Sequence, residues 1–333
     1  MKRILFFSLL FLCTIINANH PVKNVKQVIL WGHKPKCHTH SYIHAAFERA
    51  FKHLGYTTYW FDDSDNISNH DFSNALFITE GQVDGKIPIR SDCFYVIHNC
   101  NTAKYQKLIN SGNAIILQVY THDCLARKEP SIAPYIHYDL KQPIIYMPWA
   151  TDLLPHEIDL IKIAISRIKS KRKHAVFVGT ISGGQHGNRE EINQFRKSIE
   201  EEGYAFINGG VRQKSMEENI EMVQYATFAP SIQGAWQCEH GYIPCRIFKN
   251  ISYGAMGITN SQTVFDLFEG KICYASDPYT LGKKSIETIT NWSIEQQYTL
   301  MDFVKNNHTY LNRIKTLFDF FEMVATYKKG ILI

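Results

Sequence analysis

The stretch EHGYIPCRIFKNISYGAMGITN, Glu239–Asn260, decides how this chain is read. A polar loop ends in Pro244, a residue suited to the first turn of a helix. The spacing then predicts a helix to about Tyr253, with Gly254 and Gly257 breaking the chain before a short strand that ends at Thr259–Asn260. A loop that feeds a helix start beside a strand end is where anions dock on an open α/β sheet. Arg246 and Lys249 lie three apart and share one face near that helix start, where positive charge opposes the helix dipole and a bound phosphate would offset the cost. The plainer alternative is a solvated basic face with Ile247, Phe248 and Ile251 turned inward.

Working outward, the preceding segments repeat a strand–loop–helix rhythm. A strand is expected over His174–Val178, then the glycine-rich loop Gly179-Thr180-Ile-Ser-Gly183-Gly184-Gln-His-Gly187. Asn188 with Glu191, and Ser215 with Glu218, read as capping boxes of two helices, and strands are expected over 205–207 and 227–231. Backbone N–H groups at Gly179, Thr180, Gly183 and Gly184 could approach a diphosphate, with Arg189 or Arg212 adding charge. The loop Gln233-Gly234-Ala-Trp236-Gln-Cys-Glu239-His240 completes the candidate ligand-binding set, with Trp236 and residues 231–234 placed to hold a nucleoside. Tight packing explains such a glycine loop, and a strand-end tryptophan, equally well on its own.

Residues 174–280 as a block resemble the nucleotide-sugar-binding half of glycosyltransferases with the two-Rossmann-domain GT-B architecture. The similarity is closest to exostosin-like and spore-maturation-type branches, whose helix also reads Pro-x-Arg-x-Phe before a small-residue turn. The sequence departs from the Glu-x7-Glu pattern of retaining GT-B enzymes, since Lys249 and Gly241 occupy those two positions. The resemblance therefore implies sugar transfer from a nucleotide diphosphate without fixing its stereochemistry. Its fold class is α/β, with two Rossmann-like domains, a cleft between them and a long C-terminal helix. Arg246 and Lys249 would stabilise the departing diphosphate, and a base would come from the first half.

That first half also alternates. Strands are expected over 25–31, 57–61, 76–78, 94–97 and 115–120, with helices starting at a cap on Ser41 and near Thr102, and an irregular loop over 122–140. Its first strand ends in Gly32-His33-Lys-Pro-Lys-Cys37-His38-Thr-His40; His33, His38 and His40 are suitably placed to supply the base, because imidazole titrates near neutral pH, and His33 is the one expected. His33, Cys37, His38, His40 and His44 could instead bind zinc, but their spacing matches no closed structural site, so no metal and no cofactor are expected. Two prolines, Pro148 and Pro155, bracket an extended crossing near residue 150. The expected division is thus a leader over 1–18, an acceptor domain over 19–150, a donor domain over 151–292 and a helical segment over 293–333.

Composition sets the class. The 333 residues, 45% hydrophobic and 20% charged, suit a folded protein with two cores. The net charge of +5 is spread along the chain, and its one basic run, 169–174, reads as a linker, so no nucleic-acid partner is expected. Lys2-Arg3, an apolar run over 4–16 and Asn-Ala-Asn at 17–19 fit a secretory signal peptide, with a signal anchor as the alternative. Export and a membrane link only through that segment are the corresponding expectations. Removing the leader leaves seven of the eight cysteines, an odd number. Asn250 begins one of four Asn-x-Ser/Thr triplets, yet it lies in the candidate site helix, so these are read as chance. The expected partners are a nucleotide sugar and a glycan or other hydroxyl acceptor. An exported two-lobed solute-binding protein without catalysis is the alternative from another class.

Overall fold

The computed structural model describes residues 21–35, 38–98, 102–120, 130–133, 135–168, 172–210 and 214–330. The leader expectation, Cys37 and Arg212 lie outside the described residues. Among those described, no helix is long and apolar enough to cross a membrane, and Cys93, Cys238, Cys245 and Cys273 are free thiols.

The first sheet holds β1 (Gln27–Trp31), β2 (Thr57–Phe61), β3 (Ala75–Thr79), β4 (Phe94–His98), β5 (Ala114–Gln118), β6 (Ser131–Ala133), β7 (Ile136–Asp139) and β8 (Ile144–Tyr146). Their order is β2-β1-β3-β4-β5-β8-β7-β6, and every pairing is parallel except those of β7 with its two neighbours. β1 and β3 are buried at all five positions, as strands covered on both faces must be. Alternate residues serve opposite faces: Val28 and Leu30 join one core with the helix Thr39–His53, whereas Ile29 and Trp31 join another with the helix Thr102–Ser111.

The second sheet holds β9 (Arg172–Phe177), β10 (Ala205–Asn208), β11 (Ala226–Phe228), β12 (Ile258–Thr259) and β13 (Cys273–Tyr274). β10-β9-β11 and β12-β13 are parallel, and a bridge between Ser231 and Thr259 joins the two groups. Both domains therefore share one winding, in which the first strand of each sheet lies between the second and the third. Each has a crevice at the carboxyl ends of its first and third strands, where the chain reverses direction across the sheet, and such a crevice is where open α/β sheets bind ligands.

Several expectations need correction. Ser41 is not the cap: His38 is, accepting from the His40 N–H, while Ser41 sits three residues on, takes the His38 N–H and donates to the Lys34 carbonyl at 2.7 Å. Asn188 is the N-cap by position but makes no side-chain cap bond, because its Oδ1 accepts from the Ser182 N–H and Glu191 reaches the Ala235 N–H. The Ser215–Glu218 box forms as expected. Residues 131–133 and 136–139 are antiparallel strands rather than loop, and Pro155–Ile165 and Pro278–Thr290 are helices with proline in the first turn. The terminal helical stretch is two helices, Ile294–Asn307 and Tyr310–Lys328, separated at His308 where Thr309 caps the second. The former lends Leu300, Met301 and Val304 to the second domain's core, and the latter crosses back to pack Ile314, Leu317 and Phe321 on the first sheet. Buried Arg313 pins the crossing by donating to the carbonyls of Pro148, Trp149 and Asn307.

Candidate functional site

A cavity of about 400 Å³ lies between the two domains, at the carboxyl ends of both sheets. His40, Tyr42, Ile43 and Trp149 line it from the first domain; Val178, Gly179, Thr180 and Ser182 from the loop after β9; and Tyr242, Cys245, Arg246 and Lys249 from the opening stretch.

The helix Cys245–Ser252 is amphipathic, with Ile247, Phe248 and Ile251 buried in the second domain's core and Arg246 and Lys249 left to face the cleft. The Arg246 guanidinium lies 4.0 Å over the Phe177 ring, donates from Nε to the Val178 carbonyl at 2.7 Å and from Nη1 to the Ile232 carbonyl at 3.3 Å. It thus sits in the second sheet's crevice, between the segments that follow β9 and β11. Desolvation lowers its pKa from the ordinary arginine value, and a guanidinium stays charged regardless. Among the described residues no carboxylate is paired with it, and two of its five N–H groups are used. Gly179 makes this position possible, since a Cβ there would lie 2.1 Å from Arg246 Nη2.

Lys249 differs. Its ammonium is 2.8 Å from Asp152, which also accepts from the Tyr253 hydroxyl at 2.6 Å. Burial opposes the lysine's charge, but Asp152, with Cys245 and Tyr42, raises its pKa above the ordinary value overall. Lys249 lines the cavity with its charge already matched, so among the described residues Arg246 is the unmatched cation there. Asn250 is buried and donates to the Ala229 carbonyl at 2.8 Å, which fits the reading of its glycosylation triplet as chance.

The other expected binding residues separate into two groups. Gly179 and Thr180 line the cavity; Gly183, Gly184, Gln233, Gly234, Glu239 and His240 do not. Gly184 supplies a turn at φ +85, and a Cβ on Gly234 would meet the Gly187 carbonyl oxygen at 1.8 Å, so these glycines let two loops touch. Gln233, 1% exposed, holds the loop through the Tyr242 carbonyl at 2.7 Å and through Asn260, which bonds its backbone at both N–H and C=O. His240 stacks on Trp236 at 4.0 Å, and the indole in turn meets His186 at 4.3 Å and Tyr120 of the first domain at 5.2 Å. Glu239 is exposed at the end of the short helix Ala235–Glu239.

On the first wall, His33 lies against Glu80 just past β3 rather than on the cavity: its backbone N–H donates to Glu80 Oε1 at 3.2 Å and its Nδ1 contacts the same oxygen. The histidine that lines the cavity from this wall is His40, whose pKa burial, with smaller contributions from His38 and His33, lowers to about 4; His186 lines it from the second domain. His40 is a neutral imidazole at pH 7, able to accept a proton. The sequence offers His40 as a base candidate beside His33 and His38 without favouring it, and Tyr42, Asp152, Tyr242 and Tyr253 are marked by no local motif.

No protein-family model matches the sequence, and no curated protein matches it. Solved structures do match in fold. One is an alpha-glucosyltransferase in complex with UDP, at a TM-score of 0.53 and 10% identity over 89% of this chain and 99% of that one. Another is an alpha-glucosyltransferase in complex with UDP and a 13-mer DNA containing a HMU base, at 0.50 and 10% over 90% of this chain and 100% of that one. The fold is GT-B-like. Two Rossmann-like domains face each other across a cleft, and the last helix returns to the first of them.

Proposed function

We propose that this chain is a glycosyltransferase, moving a sugar from a nucleotide-diphosphate donor held by the second domain to a hydroxyl acceptor at the first. One observation carries the reading: among the described residues Arg246 is a cation without a carboxylate partner, set in the crevice of the second sheet and facing the interdomain cavity. An unpaired charge in a desolvated place is unfavourable until an anion meets it. The presence of UDP in both fold neighbours supports a diphosphate as that anion. Within this class the Pro244-x-Arg246-x-Phe248 helix supports the exostosin-like resemblance.

In the reaction the bond from the sugar's anomeric carbon to the diphosphate oxygen breaks, and its electron pair leaves on that oxygen beside Arg246. The acceptor oxygen bonds to the anomeric carbon, and its proton passes to His40, the imidazole that faces the cavity from the first domain. Protein cations alone stabilise the diphosphate in this reading, with Lys249 holding Asp152 and the cleft floor in place. The acceptor is a glycan or another hydroxyl compound, and no nucleic acid is part of the reading.

Thermal-shift measurements with UDP, GDP, free sugars and amino acids test the proposal. Protection by a nucleoside diphosphate is expected. Protection by a free sugar or amino acid alone would replace the transferase with a solute receptor.

A further inference from the structure

The first domain's crevice holds a second arrangement that sugar transfer does not require. Glu80, directly after β3, is 1% exposed, yet among the described residues no lysine or arginine is paired with it. Its nearest ionisable neighbours are imidazoles: His33 Nδ1 contacts Oε1, and His40 Nδ1 stands 3.9 Å from Oε2. Among the described residues Oε2 itself has no hydrogen-bond partner. The same is true of four groups that border one small void beside it, His40 Nδ1, His44 Nδ1, His98 Nε2 and Thr79 Oγ1. Native interiors seldom leave so many polar atoms unsatisfied in one place, and a buried carboxylate without a cation is unfavourable by several kcal/mol.

His33, His38 and Glu80 each place one ligand atom within 4.8 Å of the other two. Two imidazoles and a carboxylate are the donor set of a catalytic zinc with one position left open. The backbone brings them together from separate elements. His33 follows β1, His38 caps the next helix with its ring 4.5 Å from that of His33, and Glu80 follows the neighbouring strand β3. Gly32 clears the space, since a Cβ there would lie 2.8 Å from Glu80 Oε2 and 2.6 Å from His44 Cε1.

We infer that His33, His38 and Glu80 form a site for a divalent transition cation, with Zn²⁺ the best match, at the acceptor side of the cleft. The entering ion gives the buried carboxylate the cationic partner that it lacks among the described lysines and arginines. The remaining coordination position is open to water. The site lies on the opposite wall from Arg246, so it is independent of donor binding.

The test is zinc titration of the full untagged chain by calorimetry, with metal content after dialysis, in the wild type, Glu80→Gln and His38→Asn. Asparagine retains an N-cap acceptor for the helix that His38 starts, so His38→Asn removes the imidazole and spares the fold. One zinc per chain is expected in the wild type, with affinity reduced by at least about tenfold in each variant. UDP protection should be unchanged in both. If Glu80→Gln does not fold, His38→Asn decides. Wild-type zinc affinity in His38→Asn, no stoichiometric zinc in the wild type, or a preference for Mg²⁺ would each overturn the assignment.

Discussion

Two glycines, Gly32 and Gly179, occupy equivalent places in the two domains, each just beyond the first strand of its sheet. Each lets a side chain lie almost on the backbone, Glu80 over Gly32 and Arg246 over Gly179. The chemistry is opposite. The second domain presents a guanidinium held by backbone carbonyls and a ring face, so its positive charge remains for a ligand. The first presents a buried carboxylate among histidines, with no lysine or arginine paired to it among the described residues. The comparison separates two decisions: parallel-sheet winding sets where a crevice forms, and a few side chains set which charge it accepts.

The largest expected effect is at Arg246. Arg246→Ala should reduce turnover by about 10²–10³-fold, the usual loss when one preorganised donor to a developing negative charge is removed. The measurement is kcat with the donor that protects best; near-normal turnover would break the proposed polarity of the cleft. A matched pair of variants probes the glycines. Gly179→Ala should move the guanidinium and weaken UDP binding by about tenfold, with the fold intact, as overpacking at one contact amounts to about 1–3 kcal/mol. Gly32→Ala should lower the urea midpoint by a similar free energy while leaving UDP affinity unchanged. Equal effects of both variants on UDP would show that the walls are not independent.

The smallest effect is on stability against pH. Burial, with smaller contributions from His40 and His44, lowers the His98 pKa to about 3; burial followed by the Arg313 charge keeps His308 well below the ordinary histidine value. Both are neutral when folded, so their contribution is complete above the unfolded pKa near 6.5 and declines as pH falls toward the folded values. His98 alone should remove about 2 kcal/mol by pH 5. Urea melts at pH 7 and pH 5 measure this. A His98→Asn variant that loses as much stability as the wild type over that interval would rule out His98 as the source.

Much of the architecture was legible because burial on both faces writes continuous apolar strands into the sequence, and β1, buried at all five positions, falls within the span expected of it, 25–31. Helix starts were legible only where the cap is local. Ser215 and Glu218 bond each other's backbone, whereas Glu191 is drawn away to Ala235, forty-four residues on. The break at His308 was hidden because apolar spacing continues through it on both sides while the two helices address different domains. In the site, Arg246 was legible from its helix, but its freedom from carboxylates was not, since Lys249 on the same face turned out to be matched by Asp152 across the interdomain crossing.

The sequence alone determined the alternation of strands and helices, the glycine after each first strand and the basic face of the helix Cys245–Ser252, because each depends on residues within a turn or two of one another. Tertiary structure decided that Lys249 is neutralised and Arg246 is not, that His40 rather than His33 faces the cavity, and that Glu80 is buried among imidazoles. Those outcomes rest on contacts between segments far apart in the chain, and burial and charge pairing are properties of the packed whole that no local pattern encodes.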